Sequence, residues 1–237
     1  KRQRQTDASL IRIYFRYICV QNRSMYTEYQ PSHLLVPYID SYWEFKGNPD
    51  YGMRIHILPD GCTDFIFTLG EVANAVEEGS LIMQPYRSYF VGPMTKYSEL
   101  VTYTESIHMF GVRFLPCGLS CFTNLPLHEF VNSRVSTNEM KAVFDDTFIE
   151  KLGEQKHVTD RIRVVEEYLL AYLARHYQPA DSHVAMAVNM INHSKGKRSV
   201  RSLMDDVCLC QRHFERKFKH YTGFTPKEYS RIVKFKN

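Results

Sequence analysis

The sequence predicts an α+β protein, with a β-rich N-terminal domain built as a barrel or sandwich, then two helices, then an all-helical subdomain. Short apolar runs, separated by turn residues about every ten positions, fill residues 54–114. Segments with apolar residues at three- and four-residue spacing follow toward the C-terminus. The length of 237 residues and the 44% hydrophobic content suit one large or two modest globular domains.

Residues 1–24 are expected to lie outside the folded domains. Their apolar stretch is interrupted by Arg12 and Arg16 and has no small-residue cleavage site, so it does not resemble a signal peptide. Organised sequence begins at Met25, which we take as the physiological start, with 1–24 as translated upstream or added sequence. A strand over 11–20 is the alternative, because apolar and polar side chains alternate there.

The N-terminal domain is expected to consist of short strands. They are predicted at 54–58, 63–69, 81–84, 89–91, 100–104 and 107–114. Residues 59–61 read Pro-Asp-Gly, which is typical of a tight turn. In the second strand Phe65, Phe67 and Leu69 share one side.

Two helices are predicted after the strands. Asn138 can cap a helix that runs through Leu152 and ends at Gly153. Thr159 can cap a longer helix through about Tyr177. Its apolar stripe consists of Ile162, Val165, Leu169 and Leu173. The break at 178–182 marks the boundary between a sensing or dimerisation domain, residues 25–178, and a C-terminal unit, residues 182–237.

No pattern in the N-terminal domain indicates catalysis. His56, Asp60, Cys62 and Asp64 surround one turn, but the paired histidines of cupin-type metal sites are absent, so turn and strand roles are favoured. We therefore predict no catalytic residues, metal or cofactor. Barrels and sandwiches offer pockets, and we expect Trp43, His56 and Asp64 to line one for an unknown small molecule.

Composition restricts the compartment and the partners. Six cysteines are too few for a disulfide scaffold, and no apolar run reaches the roughly 18–20 residues of a membrane span, so we expect a cytoplasmic protein with reduced thiols and no membrane partner. Residues 182–237 carry twelve Lys or Arg against four Asp or Glu, whereas residues 25–181 are acidic. This polarity indicates an anionic polymer as partner, although a solvated basic face is the alternative.

The basic quarter has the pattern of a helix-turn-helix. Helices are predicted at 183–193, at 200–206 after a Ser199 cap, and at 211–220 before Gly223. The tripeptide 208–210 is long enough only for a turn, and a helix pair joined in this way is typical of DNA-binding proteins. In the last helix Phe214 and Phe218 share a buried face. The opposite face carries Gln211, Arg212, Glu215, Arg216 and Lys219.

Residues 199–219 and 221–229 resemble the first helix-turn-helix of the AraC/XylS family of bacterial transcription regulators. The sequences around 42–44, 58–64, 91–93 and 111–118 resemble the regulatory domains of a subset without the arabinose-type domain, so the resemblance covers about 25–237. It implies base contacts by Arg212, Glu215 and Arg216, with Gln211 and Lys219 nearer phosphates. It also implies double-stranded DNA, an effector, a possible homodimer and, for an activator, RNA polymerase as partners. Cys210 replaces the family's Ser or Thr cap.

The family carries two helix-turn-helix units, and the sequence contains the first unit and the start of a linking helix, about 226–236. We expect a single unit to bind DNA weakly and mostly without sequence specificity, unless it is dimerised. One alternative is a sensor or dimerisation module that does not bind DNA. A second is a cupin-like metalloenzyme with a helical tail, for which the sequence has no paired-histidine signature.

Overall fold

The computed structural model describes residues 18–19, 25–140, 143–144 and 146–236, and for 18–19 and 146 only the backbone. Ten strands are present in this part of the chain: β1 (Ile18–Cys19), β2 (Tyr26–Tyr29), β3 (Ile39–Gly47), β4 (Met53–Ile57), β5 (Thr63–Thr68), β6 (Asn74–Ala75), β7 (Ser88–Val91), β8 (Ser98–Thr102), β9 (Ile107–Phe114) and β10 (Arg134–Ser136).

The same residues form six α-helices and three short 3-10 helices. The α-helices are α1 (Asp146–Gly153), α2 (Val158–His176), α3 (Ser182–His193), α4 (Val200–Val207), α5 (Gln211–Thr222) and α6 (Pro226–Phe235). The 3-10 helices are Gly118–Cys121, Leu127–Phe130 and Thr137–Glu139.

The strands form two antiparallel sheets. The larger sheet has the order β10-β7-β5-β9-β3-β2, and the smaller has the order β1-β4-β8-β6. Side chains from both sheets share one hydrophobic cluster, which includes Trp43 of β3, Ile55 of β4 and Leu100 of β8. The two sheets therefore face each other across a common core.

The other face of the larger sheet is covered by α1 and α2. Phe65 and Phe67 of β5 are fully buried in a second cluster with Phe148 of α1 and Val165 of α2. The central strands of this sheet are consequently buried on both faces. This double burial removes the alternation of apolar and polar residues from strand β3, so the sequence pattern does not predict this strand.

The predicted fold class is confirmed: a β-rich N-terminal domain precedes two helices, which are followed by an all-helical unit. Strand β9 has the predicted bounds, and Phe65, Phe67 and Leu69 lie on one side in the cluster that the helices cover. Residues 1–17, 20–24 and 237 lie outside the described residues, so most of the alternative strand at 11–20 is not tested. Its described part, β1, pairs with Ile57 and His56 of β4.

The predicted strand at 81–84 is wrong. Side chains, rather than a neighbouring strand, accept hydrogen bonds from its backbone N–H groups. The Met83 N–H donates to Asn74 Oδ1 at 2.6 Å, and the Gln84 N–H donates to the Tyr89 hydroxyl at 2.7 Å. These bonds hold the segment as an irregular loop.

The two predicted helix starts are also wrong. Residues Thr137–Glu139 form only a 3-10 turn, Met140 is extended, and α1 begins at Asp146. The chain leaves β10 directly into this turn, where the Thr137 hydroxyl donates to the Ser88 carbonyl, so Asn138 caps no α-helix. Helix α2 begins at Val158 after His157 rather than after Thr159. Gly153 is the last helical residue and does not have a left-handed φ.

The helical unit has a core of its own. Val184, Val188 and Ile191 of α3 pack with Leu203 and Val207 of α4 and with the phenylalanines of α5. Cys117, from the turn after β9, joins this cluster, so the two units share packed surface. No helix in the described ranges combines the length and apolar character that a bilayer crossing requires.

Candidate nucleic-acid interface and candidate ligand cavity

Local sequence signals form the corner between α4 and α5. The Ser199 hydroxyl caps α4 by accepting a hydrogen bond from the Ser202 N–H at 3.2 Å. Cys208 ends α4 in a left-handed conformation with φ of 52°. Cys210 precedes α5 without a side-chain cap bond, as its thiol is a poor substitute for a hydroxyl. The predicted bihelical corner is present.

Helix α5 is amphipathic. Phe214 and Phe218 are fully buried, and their ring centroids are 5.7 Å apart. Gly223 ends the helix with φ of 80°, and its N–H donates to the Lys219 carbonyl. A Cβ at Gly223 would lie 2.5 Å from Pro93 Cγ, so the C-terminal end of α5 fits closely against the β domain.

The five residues predicted to contact DNA are at least partly accessible. Gln211, Arg212, Arg216 and Lys219 are exposed, and Glu215 is half-buried. Gln211 Nε2 donates to Glu215 Oε1 at 2.9 Å. Among the described residues neither Arg212 nor Arg216 has an ion-pair partner. Both guanidinium groups are therefore available to an external anion.

Lys217, on the flank of α5, has a structural contact instead. Its Nζ donates to Asp181 Oδ2 at 2.5 Å, and the other oxygen of Asp181 accepts from the N–H groups of His183 and Val184 at the start of α3. Burial alone would raise the pKa of Asp181, but Lys217 and these backbone bonds lower it overall. This pair fixes α5 against α3.

A cavity of about 50 Å³ lies between the two sheets of the β domain. Trp43 and Asp64, both predicted to bind a ligand, contribute to its wall, whereas His56 does not. Met53 and Ile55 of β4 point inward, so the alternation of the strand places Arg54 and His56 on the exposed side. The apolar part of the wall includes Phe45, Ile55, Ile57, Ile66, Leu100 and Met109.

A buried charge cluster at the cavity was not predicted. Arg113 is 3% exposed, and its Nε lies 3.3 Å from Asp64 Oδ1 and 3.5 Å from Asp60 Oδ2. Its Nη1 lies 3.3 Å from Glu28 Oε1. The register of β5 and β9, which pairs Asp64 with Arg113, brings these groups together. No local sequence signal reveals this pairing.

Asp64 is held in an unusual electrostatic environment. Burial and, to a smaller extent, the Asp60 charge raise its pKa to about 6 against the opposing effect of Arg113. The Trp43 indole N–H donates to Asp64 Oδ1 at 2.6 Å. Protonation of this carboxyl therefore changes a hydrogen bond of the single tryptophan in the sequence.

We expect the fluorescence of Trp43 to titrate with a midpoint near pH 6, because the carboxylate that accepts its N–H loses its charge there. The folded chain keeps this proton up to about pH 6, whereas an unperturbed aspartate loses it near 3.8. The contribution of Asp64 to the free energy of unfolding therefore falls as the pH rises across this range. Asp64→Asn should abolish the transition and exposed Asp50→Asn should retain it. A midpoint at the ordinary aspartate value would contradict the prediction.

The loop between β4 and β5 joins the cavity to the helical unit. Leu58, Asp60 and Cys62 line the cavity. On its outer side, the carbonyl of Asp60 accepts from Lys236 Nζ at 2.9 Å. Gly61 has φ of 86°, and a Cβ there would lie 2.6 Å from the ring of Tyr229 in α6. The loop therefore contacts both units at once.

Within the described ranges no three His, Cys, Asp or Glu side chains are grouped so that they could hold a metal ion. The five cysteines whose side chains are described, Cys62, Cys117, Cys121, Cys208 and Cys210, are free thiols. Burial raises the pKa of the Cys62 and Cys117 thiols, which makes them poor nucleophiles.

Comparisons with known proteins give limited matches. Residues 27–136, slightly under half of the chain, match a family described as a domain of unknown function (DUF6597). No curated protein matches the chain.

Three solved structures are similar at low identity. An apo form of ToxT from Vibrio cholerae is 7% identical with a TM-score of 0.45, covering 81% of this chain and 79% of that one. A second ToxT structure from Vibrio cholerae is 6% identical with a TM-score of 0.30, covering 81% and 99%. The AraC-like transcriptional activator CuxR is 11% identical with a TM-score of 0.29, covering 87% and 84%. All three scores are below 0.5, so function must be inferred from the residues of this chain.

Proposed function

We propose that this chain is a cytoplasmic transcription regulator of the AraC/XylS type, in which α5 binds the major groove of DNA and the β domain senses a small molecule. The observation that carries the proposal is the orientation of α5. Its two phenylalanines are buried in the helical core, while Arg212 and Arg216 are exposed on the opposite side with no carboxylate partner among the described residues.

The dimensions of α5 suit groove binding. Twelve residues at about 1.5 Å per residue make a helix of about 18 Å, and the major groove admits a helix. Arginine donates two hydrogen bonds to guanine, and this is the role we propose for Arg212 and Arg216. We propose Glu215 as a third base-contacting residue, and Gln211 and Lys219 as residues that contact phosphates.

The +8 charge of residues 182–237 supports this partner, because phosphate neutralisation supplies most of the affinity of proteins for DNA. We expect one unit alone to bind weakly, and a homodimer would add a second set of contacts. An activator of this type would also contact RNA polymerase.

Ligand sensing is supported by the loop between β4 and β5. It forms part of the cavity wall and also contacts Tyr229 and Lys236 at α6. A ligand that prefers one position of this loop would bias the placement of α6 and, through the shared core, of α5. The physical requirement is that the ligand binds the two arrangements with different affinity.

The test is salt-dependent binding of the full chain to a fluorescent random-sequence duplex. Arg216→Ala should reduce the affinity at 0.1 M salt by about eightfold and lower the slope of log K against log salt by about one, since one cationic contact is lost. Arg231→Ala is the matched control, because it removes another exposed arginine, which lies on α6. We expect it to change affinity by less than about twofold.

Equal losses in the two variants, or affinity that does not depend on salt, would refute DNA binding through α5. The chain would then be a sensor or dimerisation module, the alternative that the sequence also allows.

A further inference from the structure

Arg134 lies at the boundary between the cavity and an outer cleft. It belongs to edge strand β10, where it pairs with Val91 of β7. Its side chain lines both the inner cavity of about 50 Å³ and an adjoining, more open cleft of about 360 Å³. Val91 and Met94 border the same two spaces. The guanidinium therefore stands at the passage from one to the other.

Arg134 is half-buried, and its guanidinium has no carboxylate partner among the described residues. Its Nε–H is buried and has no acceptor among the described residues. Burial lowers the pKa of Arg134, and no described carboxylate opposes this effect. The two arginines that are buried, by contrast, are paired: Arg113 with three carboxylates, and Arg161 with Glu44 at 3.1 Å.

A buried N–H group without an acceptor destabilises a fold, because its desolvation is not compensated by a hydrogen bond. Unsatisfied buried groups of this kind are rare in folded proteins, and an ion is one of the partners that accounts for them. The partner that matches a guanidinium in charge and geometry is an anion such as a carboxylate.

We propose that Arg134 binds the carboxylate of a small organic acid whose short apolar chain enters the cavity between the sheets. This inference rests on the proposed sensing function and specifies the class of effector.

The surrounding charges favour a monoanion. Glu77 and Glu78 line the outer cleft, and Asp60 and Asp64 line the inner cavity. A phosphate dianion would be repelled from both sides, whereas one carboxylate can be neutralised by one guanidinium in a bidentate pair. Asp60 and Asp64 would repel the carboxylate of the ligand from the inner cavity, and Arg113 is already paired with both aspartates. The ligand carboxylate is therefore expected to stay at Arg134.

The cavity limits the size of the apolar chain. One water molecule needs roughly 10–15 Å³ of such space, so the inner cavity has room for about three to five atoms. Its wall of Ile55, Leu100 and Met109 suits an alkyl group. A chain of about four to six carbons, with its carboxylate at Arg134, fits this arrangement.

Trp43 provides a direct readout, because it is the single tryptophan and lies in the cavity wall. The probes are sodium salts of straight-chain carboxylic acids of about two to eight carbons and the primary alcohols of equal length, added to the full chain at up to about 10 mM. We expect saturable changes in Trp43 emission that are strongest at four to six carbons. The alcohols should bind about tenfold more weakly or worse.

Arg134→Gln should weaken acid binding by about tenfold or more and leave alcohol binding unchanged. Arg87→Gln removes an exposed arginine and is the matched control, with acid binding within about twofold of the original chain. The variant should not lower the melting temperature, since the Arg134 side chain makes no hydrogen bond or ion pair with the described residues.

Three results would overturn the proposal: no acid perturbs Trp43, acids and alcohols bind alike, or Arg134→Gln binds acids normally. Because this readout contains no DNA, its failure is distinguishable from failure of the proposed function. DNA binding that depends on Arg216 without acid binding refutes only the effector class. Acid binding without DNA binding refutes only the regulator.

Discussion

Phe218→Ala is expected to reduce the free energy of unfolding of the helical unit by about 3–5 kcal/mol, the usual cost of removing a buried phenyl ring. Phe218 is fully buried, and its ring lies 5.7 Å from that of Phe214 and 5.9 Å from that of Tyr229. Alanine would leave a cavity where α5 packs onto α6, the helix that contacts the β domain. DNA binding should decrease with the folded fraction.

The measurement is denaturant unfolding followed by circular dichroism for the helices and by Trp43 emission for the β domain. We expect the helical transition to move to lower denaturant, with a smaller change at Trp43. Exposed Lys219→Ala, one residue further along α5, should change the free energy of unfolding by less than about 0.5 kcal/mol. A loss below about 1 kcal/mol for Phe218→Ala would show that α5 does not depend on this core.

Gly111→Ala is expected to destabilise the β domain by about 3 kcal/mol, the upper part of the usual range for overpacked cores. Gly111 of β9 lies opposite Trp43 of β3. A Cβ at Gly111 would be 2.0 Å from Trp43 Cε2 and 2.3 Å from Nε1. The indole would have to move, and the wall of the cavity and the bond to Asp64 would be lost with it.

The checks are the unfolding free energy and the emission of Trp43, which should shift to longer wavelength as the ring becomes hydrated. Gly153→Ala is the matched control, because a Cβ there meets nothing within 4 Å and the residue is helical. We expect that control to be neutral or to stabilise by up to about 1 kcal/mol. Unchanged Trp43 emission in Gly111→Ala would contradict the predicted displacement.

The helical unit was predicted more accurately than the β domain. The predicted helices at 183–193, 200–206 and 211–220 differ from α3, α4 and α5 by one or two residues at their ends. The residues that predict these helices are close in the chain. The Ser199 cap, Gly223 at the end of α5 and the apolar residues at helical spacing all lie in the helices or directly beside them.

The β domain was predicted in outline only. Strand β3 was missed because Tyr42 faces the helices and Trp43 faces the other sheet, so the strand is buried on both sides and lacks alternation. Residues 81–84 have the short apolar pattern of a strand, but their backbone N–H groups bond to the Asn74 and Tyr89 side chains instead of to a neighbouring strand. The sequence pattern does not show these side-chain bonds. Trp43 and Asp64 were placed at a cavity, but His56 was not distinguishable from an inward residue before the phase of β4 was known.

Residues close in the chain are sufficient to specify the bihelical corner and its exposed arginines, since turn, cap and amphipathic face are encoded within about thirty positions. The candidate ligand site depends on long-range contacts. Arg113 meets Asp64 across 49 positions, and Lys236 meets the carbonyl of Asp60 across 176. The lack of a partner for Arg134 also depends on tertiary structure. It becomes visible only when β10 pairs with β7, because the groups that surround the side chain come from distant parts of the sequence.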